Sequence, residues 1–150
     1  MRPFALALAS ILAIAVGSGC STGRTYHSFD SFWSLGYNDT RLAEDSWSVS
    51  YRGYDISQSE ANDYALLRAA EVTAAAGFRY FVLVGEQASS STSVIGSGYV
   101  YNGTGSAVVG SSSYPEVRLT IKAYRTKPVI PSTVYESSYL ASGIRQKYGL

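Results

Sequence analysis

The sequence predicts an α+β domain in which one long helix and a short C-terminal helix pack on a mainly antiparallel sheet. Three stretches carry that expectation. Trp47-Ser48-Val49-Ser50-Tyr51 alternates large apolar residues with serine, as a strand with one buried face does. Between Gln58 and Ala76 the residues Ala61, Ala65, Ala69, Val72 and Ala76 recur on one side at helical spacing, while Glu60, Asp63 and Glu71 lie away from it. From Glu116 to Tyr124 alternation returns, with Val117, Leu119, Ile121 and Ala123 on one face and Arg118, Thr120, Lys122 and Tyr124 on the other.

Each element follows from its residues in chain order. The Trp47–Tyr51 stretch reads as the first strand, and Arg52-Gly53-Tyr54-Asp55 turns the chain. Ser57 and Glu60 have the spacing of a capping box, whose side chains satisfy free N–H groups in a helix's first turn. Gly77 then stands where a C-terminal glycine ends the helix. The alanine stripe lets this helix lie close on a sheet. Tyr80-Phe81-Val82-Leu83-Val84 is a continuous β-prone run, expected of an interior strand covered on both faces, or covered by a helix on one and by a layer of loops on the other. Strand, helix and strand imply a crossover that leaves the two strands parallel, though not necessarily adjacent.

Residues 88–113 change character: 14 of these 26 are Gly or Ser. Such composition suits a disordered loop or a glycine-rich hairpin, and the hairpin is favoured because Asn102-Gly103 is a good two-residue turn between Tyr99-Val100-Tyr101 and Ala107-Val108-Val109. After Pro128 and Pro131, Ser132 or Thr133 is placed to cap a short helix reaching about Lys147, with Val134, Tyr135, Leu140 and Ile144 available to pack. Arg145 and Lys147 suit the negative end of its dipole.

The N-terminus reads as a targeting segment. Arg2 precedes an apolar run from Phe4 to Val16, too short to cross ~30 Å of hydrocarbon as a helix, and Gly17-Ser18-Gly19 leads to the single cysteine, Cys20. This stretch resembles the lipobox of bacterial lipoproteins, which implies that Cys20 is acylated and becomes the mature N-terminus. Ordinary signal-peptidase cleavage after the small-x-small pattern of Gly17 and Gly19 is the alternative. An unpaired thiol in an oxidising envelope favours acylation, which removes it. The expected organisation is a signal peptide over 1–19, a lipidated tether over 20–31 and a single α+β domain over 32–150. Ser21 after the cysteine looks like the state sorted to a Gram-negative outer membrane, so the domain is expected to face the periplasm.

Composition excludes several classes of function. The chain has 12 Lys+Arg and 11 Asp+Glu, a formal charge of +1, and loss of Arg2 with the signal peptide leaves it neutral. No basic field exists for nucleic acid. The charges are segregated, with eight acidic and three basic residues from Asp30 to Glu71 and six basic and one acidic from Arg118 to Lys147. These are either solvated faces or a basic C-terminal portion turned to anionic lipid or polymer. One cysteine and one histidine, His27, provide neither a zinc cage nor a histidine cluster, and His27 falls in the tether, away from any rigid triad. Neither a metal nor a cofactor is expected. Gly96-Ser97-Gly98 lacks the third glycine of a dinucleotide fingerprint, because Tyr101 stands there. Glu44/Asp45 and Glu60/Asp63 are the carboxylate pairs available to glycoside hydrolysis. The 13 tyrosines offer either a stacking platform or core-edge packing.

The block from Gly36 to Val84 resembles a family of small proteobacterial lipoproteins of unassigned function. The likeness rests on Gly36-Tyr37, Asp39 and Leu42, on Trp47, Val49 and Tyr51-Arg52-Gly53, on Tyr64 with Leu67-Arg68-Ala69-Ala70-Glu71, and on Gly77 and Tyr80-Phe81. It implies an acylated envelope protein and transfers no catalytic residue. Arg68, at the edge of the apolar stripe, is expected to pair with Glu71 or Asp39 as a structural clamp, a polar binding spot being the alternative. The expected function is that of a lipid-anchored, non-catalytic envelope lipoprotein that organises the envelope or binds another envelope component, protein or polymer. A glycan hydrolase and a protein self-associating through residues 88–113 are the alternatives.

Overall fold

The computed structural model describes residues 26–101 and 104–150. Its strands are β1 (Gly36–Ala43), β2 (Ser46–Arg52), β3 (Tyr80–Tyr101), β4 (Thr104–Tyr124) and β5 (Tyr135–Glu136), and its helices are α1 (Gln58–Ala75) and α2 (Ser137–Tyr148). The strands form one sheet in the order β1-β2-β4-β3-β5, with every neighbouring pair antiparallel. The fold is therefore α+β, a long helix and a short C-terminal helix on an antiparallel sheet. Because β4 is antiparallel to both β2 and β3, the two strands flanking α1 run parallel with β4 between them.

Helix α1 starts at the expected Ser57 cap and stops at Gly77, but only the Ser57 half of the capping box forms. The Ser57 side chain accepts a 3.0 Å hydrogen bond from the Glu60 N–H, while the Glu60 carboxylate accepts from the Tyr64 hydroxyl at 3.3 Å. Gly77 ends the helix at φ +80°, a left-handed conformation that a side chain would strain. Its buried set, Ala61, Tyr64, Ala65, Leu67, Ala69, Ala70, Val72 and Thr73, is wider than the alanine stripe, and Ala76 is only half-buried. The width has a cause: α1 packs on β2 and β4 and also against α2. Trp47, Val49 and Tyr51 of β2, Val117, Leu119, Ile121 and Ala123 of β4, and Phe81 of β3 complete the core.

Four expectations are corrected. Trp47–Tyr51 lies in the second strand, since β1 precedes it, pairing from Gly36↔Arg52 to Ala43↔Ser46 around the turn at Glu44 and Asp45. β1 is a sheet edge, largely exposed, so its residues carry no apolar alternation. Within Tyr80–Val84, Phe81 and Val82 are buried but Val84 is 60 % exposed, because α1 covers one face and the opposite face near Val84 is open. The C-terminal helix begins at Ser137, not at Ser132 or Thr133. Tyr135 is held extended by pairing with Phe81, on whose ring it stacks at 5.2 Å, and the Ser137 N–H donates to the Arg79 carbonyl. Finally, the boundary at residue 32 falls too late, since Tyr26 already packs on the domain, as described below.

The Gly/Ser segment forms a hairpin. β3 and β4 pair from Tyr80↔Tyr124 to Tyr101↔Thr104, with one register shift between Leu83 and Gly85, and the turn expected at Asn102-Gly103 lies outside the described residues. β2 accompanies β4 as far as Arg52↔Glu116, after which the Gly53 and Asp55 N–H groups donate to the Pro115 and Ser113 carbonyls. Beyond Thr92↔Ser113 the two strands continue as a ribbon. At 3.3 Å per residue it runs ~30 Å further.

Leu67 of α1 is fully buried in the core. Leu67→Ala is expected to cost about 2–5 kcal/mol in urea unfolding, whereas Val84→Ala should stay within about 0.5 kcal/mol.

Candidate functional site

The densest polar cluster joins the N-terminal segment to the domain. The segment before β1 bridges its start in parallel at Ser28 and Tyr37: the Phe29 N–H donates to the Tyr37 carbonyl at 2.8 Å and the Tyr37 N–H to the His27 carbonyl at 2.9 Å. This close approach requires Gly36. A Cβ there would lie 2.7 Å from the carbonyl oxygens of both His27 and Ser28, and φ is +102°. The His27 Nδ1 sits 2.7 Å from the Ser28 carbonyl, in contact with backbone.

Tyr26 carries the segment into the core. Its ring centroid lies 4.6 Å from that of Tyr37, 5.7 Å from Tyr64 and 6.5 Å from Tyr51. The tether expected over 20–31 is thus shortened at its C-terminal end, where apolar ring contacts supply the burial that the small polar composition conceals. Cys20 and the rest of the expected tether lie outside the described residues.

The Tyr26 hydroxyl donates to Glu71 Oε2 at 2.6 Å, and the same oxygen accepts from Arg68 Nη1 at 3.2 Å. Arg145 Nη2 on α2 reaches Glu71 Oε1 at 2.7 Å. Arg68 extends the network to β1: its Nε and Nη2 both approach Asp39 Oδ1, at 2.8 and 2.7 Å, and its guanidinium lies 4.5 Å from the centre of the Tyr37 ring. One guanidinium therefore engages both carboxylates that the sequence offered it. Arg68, Asp39 and Glu71 are each roughly three-quarters buried at the side chain, so water screens the network only partly. A second link lies beside it, with Asp63 of α1 accepting from Lys147 Nζ at 2.6 Å and the Tyr148 hydroxyl at 2.7 Å.

Burial pushes the Tyr26 hydroxyl far above the usual tyrosine range, and its bond to the Glu71 carboxylate pushes the same way. Tyr51 is raised chiefly by burial, with Tyr64 and Glu60 adding to it. For Arg68, burial opposes the charge, but the hydrogen bonds and charges of Asp39 and Glu71 outweigh it and hold the guanidinium above its ordinary value.

Three carboxylates of the two candidate hydrolytic pairs are engaged. Asp45 accepts from the Ser46 hydroxyl at 2.9 Å and lies 3.6 Å from Lys122 Nζ, and Glu60 and Asp63 have the partners named above. Among the described residues no group of three or more His, Cys, Asp or Glu side chains is placed to hold a metal ion. Chemically the Arg68 cluster is a clasp: donors and acceptors from four parts of the chain satisfy one another. Of the residues singled out from sequence, Arg68 and Glu71 lie within it, whereas Ser57, Glu60 and Gly77 serve the ends of α1. Tyr26, Tyr37 and Arg145 were not singled out for it. The excess of tyrosine is the signal for Tyr26 and Tyr37, while Arg145 stood out only for the helix dipole.

Arg68→Ala is expected to lower stability by about 1–3 kcal/mol in urea unfolding, since Asp39 and Glu71 lose a part-buried partner. Arg68→Lys should recover only part, because an ammonium lacks the two-armed geometry and the flat face over Tyr37. A tyrosine raised in the folded state contributes stability that is complete below its unfolded pKa of ~10 and is lost as pH rises toward the folded value. Absorbance titration at pH ~11 should therefore leave Tyr26 and Tyr51 un-ionised in the folded chain, with all 13 tyrosines titrating normally in denaturant.

Comparison with protein-family models, with curated proteins and with solved structures finds no match to this chain.

Proposed function

We propose that this chain is a lipid-anchored, non-catalytic lipoprotein of the bacterial envelope, held through acylated Cys20 in the outer membrane and facing the periplasm, and that it binds another envelope component through the β3–β4 ribbon. The observation that carries the binding role is the outer edge of β3. Strand β5 covers it only at Tyr80 and Phe81, so from Val82 to Tyr101 no other described strand pairs on that side. Natural sheet edges are normally blocked by charges, proline or short length. This one runs into a stretch from Ala88 to Pro115 without a single Asp, Glu, Lys or Arg. Its backbone is offered to an incoming strand, the basis of recognition by β-augmentation.

Asp45, Glu60 and Asp63 already hold side-chain partners, so each carboxylate pair has at least one member engaged, which supports the non-catalytic reading over glycan hydrolysis. No helix among the described residues is long and apolar enough to cross a membrane. The anchor is assigned to Cys20 on the apolar run before it and on its position six residues before the folded Tyr26.

A second reading, self-association, is favoured by length. Covering the whole free edge takes a strand of about 20 residues, several times the usual 5–6, and the chain's own β3 has 22. Replacing residues 93–112 by Asn-Gly closes the hairpin at Thr92 and Ser113 while keeping the contacts of Gly53 and Asp55. The full chain cross-linked in its membrane and purified in detergent should form an adduct that this shortened variant lacks, at unchanged melting temperature. An adduct of twice the chain mass identifies self-pairing, and one of another mass a different component. Equal adducts from both chains, or none from either, contradict the ribbon's role. Palmitate labelling should be lost in Cys20→Ala, and its persistence there, or its absence from the parent chain, contradicts the anchor.

A further inference from the structure

The turn that precedes β1 displays aromatic side chains to solvent. Phe32 is 82 % exposed and Trp33 67 %, with their rings edge to face at 5.1 Å, and Phe29 is also exposed. The turn is built to hold them there. Asp30 Oδ1 accepts from the Phe32 N–H at 2.8 Å, the Asp30 N–H donates to the Leu35 carbonyl at 2.8 Å, and Ser34 takes a left-handed φ of +54° to close the loop. Two large rings kept in water on a hydrogen-bonded turn forgo the free energy of burying their apolar surface. A surface that covers them recovers part of it.

The position in the chain says which surface. Cys20 lies six residues before Tyr26, and six residues span at most ~21 Å when fully extended. Tyr26 is itself fixed to the domain by the bond its hydroxyl donates to the Glu71 carboxylate and by the ring contacts described above. An acyl chain on Cys20 therefore keeps this end of the domain within ~21 Å of the bilayer, and the aromatic turn begins three residues further on. Tryptophan and phenylalanine are the side chains that settle at the boundary between headgroups and acyl chains. The only ionisable side chain of the turn, Asp30, is occupied in holding it.

We propose that Phe29, Phe32 and Trp33 form a membrane-docking turn that inserts at the headgroup–acyl boundary and sets the orientation of the domain beside its lipid anchor. The inference rests on the reading of Cys20 as acylated, and the test separates the two. The full, acylated chain is reconstituted into phosphatidylethanolamine–phosphatidylglycerol vesicles whose acyl chains carry bromine, a short-range quencher of tryptophan. Of the chain's two tryptophans Trp47 is buried in the core, so quenching reports Trp33. The parent chain should lose the Trp33 share of its emission in brominated vesicles. Trp33→Phe should show no quenching, and Phe29→Ser/Phe32→Ser should show markedly less at unchanged melting temperature.

Co-sedimentation with vesicles but no quenching overturns the docking turn and leaves the anchor standing. Failure to co-sediment, with no quenching, overturns both. Trp33 protected from aqueous acrylamide yet unquenched by bromine also overturns the proposal, because protein and not lipid then covers the turn.

Discussion

The carboxylate of Glu71 is the point on which the arrangement of this domain turns. One oxygen accepts from the Tyr26 hydroxyl and from Arg68, and the other from Arg145. Through these bonds α1 holds the N-terminal segment and α2, and Arg68 carries the connection on to Asp39 of β1. Each of those elements is poorly secured by itself. The segment before β1 has few backbone bonds, β1 is an edge strand, and α2 meets the rest of the domain chiefly through α1. A charged hub is worth more here than on an open surface, since Arg68, Asp39 and Glu71 are about three-quarters buried and share several partners, with Arg145 reaching in from a half-exposed position.

The hub has its place because α1 can lie close to the sheet. Ala61, Ala65, Ala69 and Ala70 are fully buried, so the helix backbone approaches β2 and β4 and the longer side chains at its flanks reach neighbouring elements. Tyr64 is the counterpart on the apolar side, its ring 4.9 Å from both Tyr51 and Tyr148 and 5.7 Å from Tyr26. Five of the 13 tyrosines, Tyr26, Tyr37, Tyr51, Tyr64 and Tyr148, thus form one group of rings beneath the clasp. It reads as core-edge packing with hydroxyls aimed at carboxylates, and it leaves the ribbon and the aromatic turn as the parts that face outward.

Much of the fold was legible because the signals were local. The Ser57 cap, the terminal Gly77 and the alternation of Trp47–Tyr51 and Val117–Ala123 each depend on neighbours a few residues apart, and the antiparallel arrangement followed from them. β1 was illegible because an edge strand held by backbone bonds needs no apolar pattern. Residues 26–31 were illegible for a related reason: a single ring, Tyr26, does the packing among polar neighbours, and its partners lie 11 to 45 residues away. Glu71 as a partner of Arg68 was readable from its spacing of three along the helix, and Asp39 was named beside it. Arg145, 74 residues distant, was assigned only to the helix dipole. The start of α2 moved because pairing of Tyr135 with Phe81 overrides the local capping signals of Ser132 and Thr133.

The clasp is the central claim, and amide hydrogen exchange in a Glu71→Gln variant tests it most directly. The substitution keeps the size of the side chain while removing the charge that Tyr26, Arg68 and Arg145 share. If Glu71 secures the N-terminal segment, the Phe29, Asp30 and Tyr37 amides, bonded to Tyr37, Leu35 and His27, should exchange markedly faster in the variant, while amides of β4 within the core keep their protection. Unchanged protection at Phe29, Asp30 and Tyr37 would contradict the account, because the segment would then be held without the hub.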